Sequence, residues 1–315
     1  MKAFALTASD QPAHIVDLPD PEVAPDGVQI GVRAASVNGF DVFQASGGLL
    51  GMMEHALPTV VGRDFAGVVE AVGSNRSDVA VGDEVLGFIP SAPPLHDGTY
   101  SDRIITSNIV VASNPAGLSF ETAAAIPLAG ATALDAVQAV DVGPDDVIFI
   151  AGATGGVGSF AVQLAAQRGA RVIATARPGD EEAFVRALGA SDTIDYFAAD
   201  VAAAVRGKFP EGVTALIDMV NRGDDFAPMA AIVRDGGRIA TTLGAADVEA
   251  LAQRNVRATN VVGTPTPEKL ATLAEAAAAG TLQVEVQGTF PLDRADEALQ
   301  AFSGGTIGKL VLVVR

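Results

Sequence analysis

Residues 145–176 read DDVIFIAGATGGVGSFAVQLAAQRGARVIATA. An apolar run at 147–150 enters a turn crowded with small residues, Gly152-Ala153-Thr154-Gly155-Gly156-Val157-Gly158, and leaves it into a helical stretch that ends at Gly169. A second strand-like run, RVIATA, follows. Glycines permit a tight turn and a close approach of backbone to a ligand. The unpaired N–H groups and dipole of the helix start suit the charge of a pyrophosphate. Ala153, Gly155 and Gly158 keep the spacing of G-x-G-x-x-G, with alanine in the first place. That spacing alone is a weak signal, and a merely structural glycine turn is its bland alternative. With a strand before it, a helix after it and a second strand beyond, it predicts a dinucleotide-binding unit cradled by Ala153, Thr154, Gly155, Gly156, Val157 and Gly158.

The end of the second strand bears on which dinucleotide. An NAD site wants an acid there for the ribose hydroxyls. This strand ends Thr175-Ala176-Arg177. Arg177 suits a 2′-phosphate and Thr175 offers a hydrogen bond, which favours NADPH. Asp180, Glu181 and Glu182 follow closely and speak against it, because Arg177 could be a solvated loop arginine balancing them.

Outward from this unit, strands and helices alternate from 145 to about 264, which predicts a doubly wound parallel sheet with helices on both faces. A helix is expected over FAPMAAIVRDG, and a last strand at ATNVVGT, 258–264. Before it the pattern differs. VQIGVRAASV (28–37), VVGRDFAGVVEAVG (60–73), DEVLGF (83–88) and SDRIITSNIVVA (101–112) are short β-branched runs between turns. Ser119 can cap a helix that Pro127 breaks or kinks. The tail returns to strand, helix, strand and most simply rejoins the N-terminal part. The expected architecture is α/β. A nucleotide domain, 121–264, is inserted in a β-rich domain made of 1–120 and 265–315.

Composition narrows the function. The 315 residues are 49% hydrophobic, ample for a core, and contain no cysteine, which removes disulfides, thiol nucleophiles and cysteine-based zinc sites. The three histidines, His14, His55 and His96, lie far apart in sequence, so no metal site is expected. A net charge of −18 disfavours nucleic acid. No apolar run has the length of a membrane span, and the first 21 residues read as strand and turn rather than a signal peptide. A cytoplasmic protein is expected.

AASVNGFDVFQASG (34–47), LPTVVGRDFAGVVEAVG (57–73), AAAIPLAGATA (123–133), GATGGVGSFAVQLA (152–165), TIDY (193–196) and GKLVLVV (308–314) together resemble the zinc-free, zeta-crystallin-like quinone oxidoreductases of the medium-chain dehydrogenase/reductase superfamily. The resemblance covers essentially the whole chain. It implies a Rossmann domain inserted in a GroES-like catalytic domain, and hydride delivery from NADPH to a quinone or α,β-unsaturated carbonyl. Zinc-dependent relatives carry Gly-His-Glu where this chain has Gly62-Arg63-Asp64, and Cys where Asn38 stands. Arg63 and Asp64 are therefore expected as an ion pair in a frame without metal. The resemblance also implies that Asn38 and Asp41 line the cleft and that Thr132 approaches the nicotinamide or its phosphates. Tyr196 would meet the ribose phosphate, and Leu243 and Lys309 would lie near the cofactor. Phe43 replaces a common tyrosine, and Tyr100 could supply the lost hydroxyl or simply pack. Relatives pair through the last nucleotide-domain strand, so a homodimer is expected. The alternatives are a pathway-specific enoyl or alkenal reductase and a non-catalytic NADPH-binding structural or sensor protein.

Overall fold

The computed structural model describes residues 1–197 and 200–314, and its chain passes between two units twice: Met1–Leu128 and Pro265–Arg315 make the first, Ala129–Thr264 the second. In the first unit β1 (Lys2–Leu6) pairs antiparallel with β2 (His14–Asp17) on one side. A larger sheet grows around β3 (Val28–Ser36), whose side chains are buried on both faces. Helix α1 (Gly39–Ala45) follows β3, and β4 (Thr59–Val60) completes the small sheet in the order β2-β1-β4. β5 (Asp64–Val72), β6 (Glu84–Phe88) and β8 (Val110–Ser113) extend the large sheet from β3, which also pairs with β7 (Arg103–Thr106).

Ser119 does cap a helix: its hydroxyl accepts from the Thr122 N–H at the start of α2 (Phe120–Ala124). The break expected at Pro127 is there: α2 ends at Ala124 and Pro127 opens α3 (Pro127–Val140), because a proline without an N–H is tolerated in a first turn. The unit boundary falls inside α3, after Leu128, and not at 120. The reason is that α2 packs on β3 and β5.

The second unit runs β9 (Val147–Ala151), α4 (Gly156–Gln167), β10 (Arg171–Thr175), α5 (Asp180–Ala187), β11 (Asp192–Ile194), α6 (Val201–Lys208) and β12 (Val213–Asp218). It continues with α7 (Phe226–Ala230), β13 (Val233–Thr241), α8 (Val248–Ala252) and β14 (Arg257–Asn260). All strand pairs are parallel, in the order β11-β10-β9-β12-β13-β14. Phe149, Ile173, Leu216 and Ile239 fill the sheet's interior. Removing such a side chain from water contributes about 1.5–3 kcal/mol each. The strand order reverses between β9 and β12, and the crevice outside the carboxyl ends of the strands at such a reversal is where this architecture binds ligands.

Two expected elements are shorter than their sequence suggested. The helix expected over FAPMAAIVRDG stops at Ala230, because β13 already begins at Val233. The last strand ends at Asn260 rather than 264, and Val262 beyond it is 83% exposed.

The chain then returns to the first unit. Thr266 caps α9 (Pro267–Ala278), which carries proline in its first turn. β15 (Val286–Pro291), α10 (Ala295–Ser303) and β16 (Lys309–Val313) follow. β16 pairs antiparallel with β3 and parallel with β15, so the tail does rejoin the β-rich part and adds strands to its large sheet. Among the described residues no helix is long and apolar enough to cross a membrane.

Candidate functional site

In the first unit α1, the start of β5 and the start of β16 bring four charged side chains into the interior. Asp41, Arg63, Asp64 and Lys309 are all at most 4% exposed. Gly62 makes their entry possible. It holds φ +97°, and a side chain there would collide with Thr99 Oγ1 and the Tyr100 ring, so the chain turns tightly against Tyr100 just before Arg63.

Arg63 and Asp64 do not pair with each other. Successive side chains of an extended segment point to opposite sides. The Arg63 guanidinium donates to Gln44 Oε1 at 3.0 Å and to the Asp97 carbonyl at 3.3 Å, with its Cζ 5.3 Å from the centre of the Phe40 ring. Asp64 faces the other way. Its Oδ2 accepts from Ser36 Oγ at 2.9 Å and Asn38 Nδ2 at 3.0 Å, and its Oδ1 accepts from the Leu128 N–H at 3.0 Å. Lys309 Nζ donates to the Val37 carbonyl at 2.8 Å and to Asn38 Oδ1 at 2.6 Å, and lies 4.0 Å from Asp64 Oδ2. The Asn38 amide therefore bridges the buried cation and the buried anion.

Burial raises Asp64 and lowers Lys309 from their ordinary values, each opposed first by the charge of the other. Asp41 is raised from 3.8 to about 7, by burial first and then by the Asp64 charge. Its Oδ2 accepts from the Asn38 N–H at 2.9 Å and from the Tyr100 hydroxyl at 3.2 Å. Asp41 thus braces the Asn38 turn from beneath and is 0% exposed, so it lines no cleft. Tyr100 is equally buried, its hydroxyl is also spent on the Ser36 carbonyl, and burial raises it well above 10. It packs and positions; it is not placed as a replacement proton donor. Phe43 is 46% exposed. A mostly apolar hollow lined by Met1, Leu18, Pro58, Ile104 and Ile105 shares with this cluster only Asp97, and its chemistry is that of a surface crevice.

In the second unit the glycine turn lies between β9 and α4. Gly152 holds φ +83°, and a side chain at Gly158 would collide with the Gly152 carbonyl and lie 2.6 Å from Ala153 Cα. The helix start therefore packs directly on the turn. Thr175 is 6% exposed and turned onto the glycine turn. Its hydroxyl accepts from the Gly152 N–H at 2.9 Å and the Ala153 N–H at 3.3 Å, bracing the turn from β10. Arg177 and Tyr196 come together at the ends of β10 and β11, with Glu181 between them, a residue whose role the sequence left unassigned. Leu243 follows β13, half-buried, its N–H on Thr241 Oγ1 at 3.3 Å. Thr132 lies on α3, 7% exposed, and a side chain at Gly263 would strike its hydroxyl.

Zinc does not fit this donor set. The chain has no cysteine, and among the described residues no three histidine or carboxylate groups cluster as ligands. Arg63 occupies the frame with a guanidinium, and both ends of the Asn38 amide are engaged. A dinucleotide does fit the second unit, whose strand order, glycine turn and close Gly158 packing are those that approach a pyrophosphate.

Residues 24–100 match the alcohol dehydrogenase GroES-like domain and residues 188–312 the zinc-binding dehydrogenase family. A 2-methylene-furan-3-one reductase of Solanum lycopersicum is 33% identical over 71% of this chain and 57% of its own length. The solved quinone oxidoreductase from Coxiella burnetii is 32% identical with TM-score 0.89, covering 100% of this chain and 99% of the other. That of Escherichia coli, complexed with NADPH, is 26% identical with TM-score 0.85, covering 99% and 100%. The chain belongs to the zeta-crystallin-like quinone oxidoreductase branch of the medium-chain dehydrogenase/reductase superfamily. It spans little more than half the length of the first curated relatives it matches, 57% and 62% for two of them.

Proposed function

We propose that the chain is an NADPH-dependent oxidoreductase that reduces a quinone or an α,β-unsaturated carbonyl without zinc. The observation that carries this reading is the Asn38 amide, fixed between Lys309 and Asp64 where zinc-dependent relatives would hold metal. Lysine only donates and a carboxylate that takes three donors only accepts, so the amide's orientation is set: Oδ1 towards Lys309, Nδ2 towards Asp64. Nδ2 carries a second proton, and Asn38 keeps 8% exposure. We assign that N–H to the acceptor's carbonyl oxygen, where it orients the acceptor and stabilises charge developing there. Lys309 on Oδ1 polarises the amide and strengthens this donor.

When bound, NADPH supplies a hydride, and acceptors that are already electrophilic need no Lewis acid. Gly156, Val157 and Gly158 at the start of α4 would hold its pyrophosphate, with Arg177 and Tyr196 at the ribose phosphate. With Tyr100 turned inward, the proton that completes reduction comes from water. The kinship to an enone reductase and to quinone oxidoreductases supports this substrate class. A homodimer joined along β14, at the edge of its sheet, and a cytoplasmic location complete the reading. A screen of NADPH oxidation against quinones, enones and alkenals, repeated with a strong chelator, tests it. Turnover that persists with chelator is expected. Tight NADPH binding with no oxidation by any acceptor would favour a sensor or structural role instead.

A further inference from the structure

Glu181, in the first turn of α5, is 6% exposed although it is a carboxylate. Its Oε2 accepts from the Arg177 backbone N–H at 2.8 Å. Its Oε1 accepts from Arg177 Nε at 2.8 Å, lies 2.6 Å from the second guanidinium nitrogen, and accepts from the Tyr196 hydroxyl at 3.2 Å. The strand ends that carry these groups are tied together by the Ala176 N–H on the Ile194 carbonyl at 3.0 Å. Gly179, at φ +99°, turns the chain sharply enough to swing Glu181 back onto Arg177. Two neighbouring acids are occupied elsewhere: Glu182 with Arg186 and Thr193, and Asp195 with the Phe197 N–H. An ordinary surface ion pair four residues apart points its carboxylate to solvent. This one turns its carboxylate inward onto a main-chain N–H, a guanidinium and a phenol at once.

Those donors have the chemistry of a phosphate site, and one carboxylate already fills them. We propose that Glu181 is the specificity-determining residue of the adenosine-ribose subsite: it stands in for a 2′-phosphate, must yield Arg177 and Tyr196 when NADPH binds, and so holds down the preference for NADPH over NADH. The inference rests on the dinucleotide reading of the second unit. A bound 2′-phosphate brings a charge near −2 against the carboxylate and competes for the same cation. The free 2′- and 3′-hydroxyls of NADH bring donors, for which Glu181 is a ready acceptor. Glu181 therefore opposes one cofactor and accommodates the other.

Equilibrium titration of NADPH and of NADH, followed by nicotinamide fluorescence without any acceptor, tests this. Glu181→Gln keeps the size and removes the charge. It should tighten NADPH about tenfold, as expected for freeing a charge-assisted donor, while NADH stays level or weakens. Glu181→Ala, with its thermal midpoint recorded, should move the ratio the same way. An unchanged ratio in both variants, or equal weakening of both cofactors together with a lowered midpoint, would assign Glu181 to the turn alone and overturn the proposal. Absence of binding of either cofactor by the unmodified chain would overturn the dinucleotide reading, and this inference with it.

Discussion

Lys309 Nζ donates to Asn38 Oδ1 at 2.6 Å, joining β16, near the end of the chain, to the turn that follows β3. The pair is buried, and the far side of the same amide donates to Asp64. A neutral side chain thus carries the interaction between a lysine and an aspartate 4.0 Å apart. If Asn38 orients the acceptor, Asn38→Ala should lower turnover about tenfold or more, the scale of losing one well-placed donor, with NADPH affinity intact. Lys309→Met should lower it in the same direction with Asn38 in place. Stopped-flow turnover at saturating NADPH, beside cofactor titration, reads both. Full turnover in Asn38→Ala with the best acceptor would remove Asn38 from the site.

Arg63 is a buried cation whose hydrogen bonds go to an amide and a carbonyl, with the carboxylates of Asp41 and Asp97 near enough to favour its charge. Breaking such an arrangement by removing the cation leaves buried negative charge uncompensated. Arg63→Ala should cost about 3–5 kcal/mol in a denaturant titration. Arg63→His returns one metal-binding nitrogen, but with no cysteine in the chain the variant should take up no stoichiometric zinc, measured by metal analysis of the purified protein.

The glycine spacing and the alternation around it made the second unit legible in sequence, because both are local patterns with one backbone solution. The return of the tail was legible too, since the apolar strand 309–313 needed a sheet to join. What escaped was pairing across distance. Arg63 and Asp64 are adjacent in sequence and invite an ion pair, yet extended backbone sends them to opposite partners, Gln44 and Asn38. Thr175, at the end of its strand, offers a hydrogen bond in the sequence; only the fold reveals that its hydroxyl closes the glycine turn. Glu181 was visible as one of three acids. Which of the three turns inward depends on the Gly179 bend.

Gly158 is where the second unit has no room. Its missing side chain lets α4 rest against Ala153 and the Gly152 carbonyl. Gly158→Ala should push the helix start away from the turn and weaken NADPH and NADH alike, by about tenfold or more, because pyrophosphate binding depends on that backbone approach. Fluorescence titration of both cofactors checks this. Equal weakening separates it from Glu181, whose substitution should change the ratio. Unaltered affinity would mean that the pyrophosphate is held elsewhere.

Asp41 gives the first unit a pH dependence of definite sign. Burial and the Asp64 charge raise it from 3.8 to about 7, so the folded chain holds this proton more tightly than the unfolded chain does. Its contribution to stability is complete below about pH 4, declines as pH rises, and is gone above about pH 7. At 1.36 kcal/mol per pH unit, the span from 3.8 to about 7 amounts to about 4 kcal/mol. Asp64, also raised, has the same sign, while Lys309, lowered by burial, has the opposite one. The variant that isolates Asp41 is Asp41→Asn, which keeps an acceptor for the Asn38 N–H and cannot titrate. Denaturant unfolding of both proteins from pH 4 to pH 8 should show the native chain losing stability relative to Asp41→Asn, most steeply around the middle of the span from 3.8 to about 7 and levelling off as pH passes 7. Parallel profiles would mean that Asp41 is ionised throughout, and that Arg63 and Lys309 outweigh its burial.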